Sequence, residues 1–221
     1  IVSQFNFYAN GTSRKSLKKW LFDPEYSLED KDLLNFIEKL KVNKYHIGLH
    51  QSFDAWKNYQ DMLFQKKALE TASQTKIDYC RQHWLRFSWR YTWLSQSKAG
   101  LKTDSTLGFN DRPGFRTGSA ISYSPWNEVE DKPIPIKIIP LMLMDSHLYD
   151  YQLLTKDEIS ESLNLWMRKV NEVNGYVSLL WHPHVLNDQY EWEEGFHIMI
   201  KLCQKSFLKI RVFHKLIEFI Y

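Results

Sequence analysis

The stretch Tyr45-His46-Ile47-Gly48-Leu49-His50-Gln51-Ser52 decides how the chain is read. In a β-strand, successive side chains point to opposite faces. Tyr45, Ile47 and Leu49 then share one face, and His46, Gly48 and His50 share the other. The first face is apolar and suited to burial under a helix. The second offers two imidazoles and a residue with no side chain. Histidines so placed serve either as metal ligands or as hydrogen-bonded residues of a core or rim. The strand is predicted over about 44–49.

On either side of it the hydrophobic period changes from two to about 3.6 residues. Ser27 stands as an N-cap with acids behind it. Leu33, Leu34, Ile37 and Leu40 follow at helical spacing, so a helix is predicted over about 28–41. Downstream, Ser52 caps a helix over 54–71, marked by Trp56, Tyr59, Met62, Leu63 and Leu69. Val2, Phe5 and Phe7 place a strand over 1–8, followed by a turn at 10–13 and a basic loop or helix end at 14–19. A strand is read over 80–87, a helix over 91–99 stopped by Gly100, and a short strand over 101–104. Asn110-Asp111-Arg112-Pro113-Gly114 is a turn, and 124–133 is a loop. The most apolar segment, 134–144, carries Pro135 and Pro140 and is read as a buried strand over 136–143. Thr155 to Glu158 opens a helix to about 173, a strand over 176–182 ends on His182, and a helix covers 190–205. The tail, 207–221, is read as an amphipathic helix. Such alternation predicts an α/β fold with a mainly parallel sheet, open or closed as a barrel. No repeat or linker divides the chain, so 1–221 is read as one domain.

Composition narrows the function. The 221 residues are 43% hydrophobic and 25% charged, with a formal net charge of +3. Lys and Arg are spread along the chain, which argues against a nucleic-acid partner. The 9 Trp, 12 Tyr and 13 Phe fit a rich core or a surface that stacks on sugar rings. Cys80 and Cys203 form no CxxC, so neither a cysteine zinc site nor a disulfide framework is expected. The N-terminus has neither the charge nor the apolar run of a signal peptide, and a cytoplasmic location is expected. No apolar run is long enough to span a bilayer. Oligomeric state is not legible. The chain starts on Ile1 rather than Met, so a start inside a longer protein is expected, with an N-terminal strand missing.

In parallel α/β folds, functional groups gather at the C-terminal ends of strands. That rule collects His50, Asp104, Asp145 and His182, with His83 near its strand end and Arg116 just past the turn at Gly114. The set holds neutral bases, carboxylates and a guanidinium, which is the equipment of metal-assisted hydrolysis.

Several short pieces of sequence occur in a fixed order. His46 to Ser52 is similar to E-I-G-x-H-P-S, and Arg81 to Arg86 to R-Q-H-F-L. Asp104 to Phe109 is similar to D-Y-T-M-G-Y, and Gly114 to Gly118 to G-F-R-A-G. Met144-Asp145 and Leu180-Trp181-His182 complete the series, which spans about residues 44–186. Together they resemble a divergent bacterial branch of the polysaccharide deacetylases, carbohydrate esterase family 4. The resemblance implies a distorted, incomplete (β/α) barrel of mainly parallel strands and a divalent metal, usually zinc. It implies removal of N-acetyl groups from a sugar of a cell-surface polysaccharide or its precursor, with an N-acetylated oligosaccharide or polysaccharide as partner. In the family, metal-activated water attacks the amide carbonyl, a carboxylate takes its proton and a histidine protonates the amine. By this resemblance His50 and His83 are the metal ligands and His182 is the general acid. Arg116 orients the catalytic carboxylate, and Asp104 completes the catalytic set.

Two departures stand out. The family's second metal histidine lies four residues after the first, where this chain has Asp54. Asp54 is able to ligate zinc, but His83 is preferred because the divergent branch carries it. The family's first strand ends in T-F-D-D, and no Asp precedes Asp23 here. Either the chain is cut from a longer protein or the base has been lost. One expectation is therefore a metal-dependent deacetylase, with His46 as a secondary candidate. Its alternative is an inactive carbohydrate-binding or scaffold protein in which Trp84, Trp126 and Trp181 stack on sugar faces. In a third reading all the histidines are structural.

Overall fold

The computed structural model describes residues 2–9, 21–187, 189–205 and 211–215. The turn expected at 10–13 and the basic segment at 14–19 lie outside the described residues. In chain order the elements are β1 (Val2–Tyr8), α1 (Lys31–Val42), β2 (His46–Gln51), α2 (Tyr59–Ser73), β3 (Tyr79–Gln82), α3 (Thr92–Lys98) and β4 (Thr103–Asp104). There follow a small hairpin of β5 (Trp126–Asn127) and β6 (Lys132–Pro133), then β7 (Lys137–Ile138) and β8 (Leu141–Met144). The last are α4 (Lys156–Glu172), β9 (Ser178–Trp181), α5 (Glu193–Lys205) and β10 (Arg211–Lys215).

Eight strands form one row in the order β7-β4-β3-β2-β1-β10-β9-β8. Every pairing in that row is parallel. Its two edges, β7 and β8, are separated along the chain by Ile139 and Pro140 alone. Three peptide steps reach about 11 Å at most. The row must therefore curl until its edges approach. Pro140 has no N–H to give a ladder, and β7 and β8 do not pair. A distorted, incomplete barrel results, as the resemblance implied.

The interior confirms the curl. Arg81 on β3 reaches across the barrel, its Nη2 donating to Ser178 Oγ on β9 at 3.4 Å. β3 and β9 stand four places apart in the row. Gly48 faces the same interior, against Gln4 and Asn6 of β1, which hydrogen-bond to each other. Ile47 and Leu49 point outward and pack on Leu33, Ile37 and Leu40 of α1 and on Met62 and Leu69 of α2. On the far side, Leu143, Leu179 and Trp181 pack under α4 and α5. The period-two reading of the opening stretch thus holds residue by residue.

Local chemistry explains where the elements begin. Asp30, rather than Ser27, caps α1 by accepting from Asp32 N at 2.8 Å and Leu33 N at 3.0 Å. Asn58 caps α2, so the helix starts later than Asp54 suggested; a single 3₁₀ turn fills the gap. Thr155 and Glu158 form a capping box on α4. The strand read over 80–87 ends at Gln82, and a turn follows. The tail corrects a helix to a strand. Arg211–Lys215 is β10, inserted between β1 and β9, and the rest of the tail lies outside the described residues. Two parallel neighbours outweigh a weak helical period there.

Gly48 is the tightest point of the interior. A Cβ there would stand 2.2 Å from Asn6 Oδ1 and 2.6 Å from Gln4 Nε2. Both side chains are buried, so they yield only by breaking their hydrogen bond. Gly48→Ala is expected to lower stability by about 1–3 kcal/mol. Urea denaturation of the variant checks it, and an unchanged midpoint would contradict the packing described.

Candidate functional site

A cavity of about 520 Å³ opens at the C-terminal ends of the strands. Its walls include His50, Arg81, His83 and Trp84 from one side of the row and His182 with His184 from the other.

His50 comes from the end of β2, where it sits opposite Arg81 of β3 and Tyr8 of β1. His83 follows β3 directly, and its ring lies 4.6 Å from that of His50. His83 Nδ1 faces Asp23 Oδ1 at 3.2 Å, and the same oxygen accepts from Phe53 N at 2.7 Å. A buried carboxylate from the loop before α1 therefore holds the second histidine. Beyond His83, Trp84 and Leu85 take φ of +56° and +48°. Left-handed backbone at non-glycine residues costs on the order of 1–3 kcal/mol each and collects at functional positions. Here it turns the Trp84 indole to the cavity mouth, 57% exposed, edge-on to Phe22 and Phe53.

Across the cavity, Asp145 follows β8 and His182 follows β9, and the pairing of those strands joins them. His182 Nδ1 lies 2.7 Å from Asp145 Oδ1 and 2.9 Å from Oδ2, and Ser146 N donates to Oδ1 at 2.7 Å. Burial pushes the Asp145 carboxyl up, but the His182 charge and these hydrogen bonds outweigh it and hold it below its ordinary value. An ionised Asp145 fixes Nδ1–H of His182 and leaves Nε2 as the nitrogen for a ligand or a proton transfer. Arg81 is fully buried, with Nε donating to Ser105 O at 3.1 Å. Burial draws its guanidinium down to about 10, so it remains a cation at neutral pH.

The expected site residues divide. His50, His83 and His182 meet at the cavity. Asp104 does not line it. That carboxylate is buried under α3, accepting from Gln96 at 2.8 Å, Trp93 at 3.3 Å and Thr106, and burial raises its pKa. Nor does Arg116, whose Nη1 donates to Gly108 O at 3.2 Å. The arginine at the cavity is Arg81. Asp54 is engaged by Arg86 at 2.9 Å. His46 opens β2, about 13 Å along the strand from His50, and lies against Tyr79. Trp181 is wholly buried, which removes it from any sugar-stacking surface. Asp23 and Arg81 are the residues that sequence reasoning missed. Asp23 lies in a loop with no period to read, whereas Arg81 belongs to a quoted motif and ends a strand beside His50.

A resident divalent metal needs more donors than the paired histidines supply. Zinc sites take three or four protein ligands. His50 and His83 supply two imidazoles, and β1 ends beside His50 in Tyr8 and Ala9 rather than in acids. Among the described residues, no group of three His, Cys, Asp or Glu is disposed to hold an ion. As they stand, these residues do not fit a resident metal.

No protein-family model matches the sequence, and no curated protein matches it. Among solved structures, a candidate polysaccharide deacetylase from Mycobacterium smegmatis overlays with a TM-score of 0.55 at 16% identity, covering 82% of this chain. The fold is that of a polysaccharide deacetylase. The chain spans 64% of that protein's length. A variant of a CE4 family pseudoenzyme with restored enzymatic activity overlays at a TM-score of 0.43 and 13% identity, covering 96% of this chain and 56% of that one. That second overlay is too loose to weigh.

Two outcomes follow for this deacetylase fold. Zinc added to chelator-free protein is expected to bind with a dissociation constant no tighter than about 1 μM, because a complete structural site is worth on the order of 10 kcal/mol or more. Calorimetric titration reads this, and nanomolar binding would contradict it. The second concerns His147, buried between Met144 N and Phe109 O and drawn down by burial to about 4. It stays neutral in the fold while the unfolded chain protonates below about 6.5. Its contribution to stability is therefore present above about pH 6.5 and falls as pH drops toward 4, by roughly 3 kcal/mol in all. Urea denaturation between pH 4 and 7 is expected to show this slope, and His147→Asn to flatten it.

Proposed function

We propose that this chain binds an N-acetylated sugar unit of a polysaccharide in the cavity and does not turn it over by the metal-dependent route of deacetylases. The donor set carries this reading: of the four histidines at the cavity His50 and His83 stand ring to ring, and the strand beside them ends in Tyr8 and Ala9. Among the described residues, no three side chains are disposed to hold a metal ion for an attacking water. What remains suits binding. Trp84 offers an exposed indole to a sugar face. The Asp145-oriented His182 offers a donor to the acetamido carbonyl or a hydroxyl.

One observation favours turnover as a second reading. The Asp145–His182 pair is kept in the geometry that a general acid needs. Under that reading His182 protonates the leaving amine of an N-acetyl sugar.

A single pair of assays separates the two. The N-acetylglucosamine tetramer is expected to change tryptophan fluorescence saturably, and Trp84→Ala to weaken binding about tenfold or more. No acetate is expected, with or without added zinc. Acetate release that disappears in His182→Ala would establish the hydrolase and overturn the binding reading.

A further inference from the structure

A second concavity, of about 1,020 Å³, lies outside the histidine cavity, between the β3–α3 loop and the β5–β6 hairpin. Its aromatic side chains are Trp89, Tyr91, Trp93, Tyr123 and Trp126. Trp89 is 59% exposed and Trp126 56%. Leaving large indoles in water forgoes part of the stabilisation that their burial would give. An exposed aromatic patch of this kind marks a binding surface.

The groove is braced rather than loose. Trp93 donates its indole N–H to buried Asp104 at 3.3 Å. Trp89 sets its edge on Trp93 at 5.4 Å and on Phe87 at 5.3 Å, and Tyr123 meets Trp93 at 6.1 Å. The hairpin that carries Trp126 is pinned by Ile134 N donating to Pro125 O at 2.7 Å.

The lining also bears on what it holds. It includes the hydroxyl residues Thr117, Ser119 and Ser124 and the amide residue Asn127. One cation, Arg90, and one carboxylate, Glu128, roughly cancel. Balanced charge disfavours nucleic acid or another polyanion, which would need a run of positive charge. Aromatic side chains together with hydroxyls in one lining match a neutral pyranose, whose C–H face stacks and whose edge hydrogen-bonds. One loop serves both concavities: Trp84 and Leu85 line the cavity, and Trp89 and Arg90, a few residues on, line the groove.

We propose that this groove is a second saccharide surface, which takes neutral sugar rings of the same polymer whose N-acetylated unit occupies the cavity. It rests on reading the cavity as a sugar site, and it adds a preference for long chains over short ones.

Calorimetric titration with the N-acetylglucosamine dimer and hexamer tests it, using the native chain, Trp84→Ala and Trp89→Ala/Trp126→Ala. Both groove residues are exposed, so the double variant is expected to melt like the native chain. The native chain should bind the hexamer at least tenfold more tightly than the dimer. The groove variant should lose that advantage while its dimer affinity stays within twofold of native. Hexamer binding that depends on Trp84 and not on Trp89 and Trp126 overturns the groove and leaves the cavity reading standing. Hexamer binding that depends on Trp89 and Trp126 but not on Trp84 supports the groove and overturns the cavity reading. Sedimentation velocity adds one more outcome: a dimer of the native chain that the groove variant abolishes would make this face a protein interface and overturn the proposal.

Discussion

Two residues, Ile139 and Pro140, link the two edges of an eight-stranded row. Everything about the site depends on that short tether. A parallel row of this size can lie open, with its edges tens of ångströms apart, since neighbouring strands stand about 4.8 Å apart. The tether forbids it. Once the row curls, β3 and β9 face each other, and Arg81 finds Ser178 through the interior. His83 and His182 then look into one cavity although they belong to strands four places apart. Gly48 keeps room for the Gln4–Asn6 pair at the centre of the same curl.

The two walls of the cavity are built alike. On each, a buried carboxylate holds a histidine: Asp23 with His83, and Asp145 with His182. Each carboxylate also accepts a backbone N–H, from Phe53 on one side and from Ser146 and His182 on the other. Such pairs fix ring orientation more than they stabilise, because desolvating the charges offsets much of their attraction. The chain has thus kept ordered imidazoles while the strand between them ends without acids. Under the proposed function that combination serves recognition of a polar sugar rather than activation of water, and the aromatic groove is proposed for the same use.

Much of the fold is legible in the sequence because burial imposes periods. Ile47 and Leu49 face the helices and Gly48 and His50 the interior, as alternation requires. Thr155 and Glu158 announce their helix by the hydrogen bonds they make. The failures have equally physical causes. Arg211–Lys215 becomes a strand because β1 and β9 are there to pair with it, which no local pattern records. Asp104 belongs to a strand of two residues, too short for alternation to set its direction, and it faces the layer under α3. Trp181 was readable: it shares a face with Leu179, and that face is core. Asp145 and His182 are 37 residues apart, and only the β8–β9 pairing makes them partners.

On the proposed function, both walls grip one sugar and the grip ends in binding. Imidazole NMR of the native chain during titration with the N-acetylglucosamine tetramer tests it most directly. His50, His83 and His182 resonances are expected to move along one saturation curve while no acetate forms. Resonances of His83 and His182 that respond at different concentrations, or acetate accumulating during the titration, would contradict it.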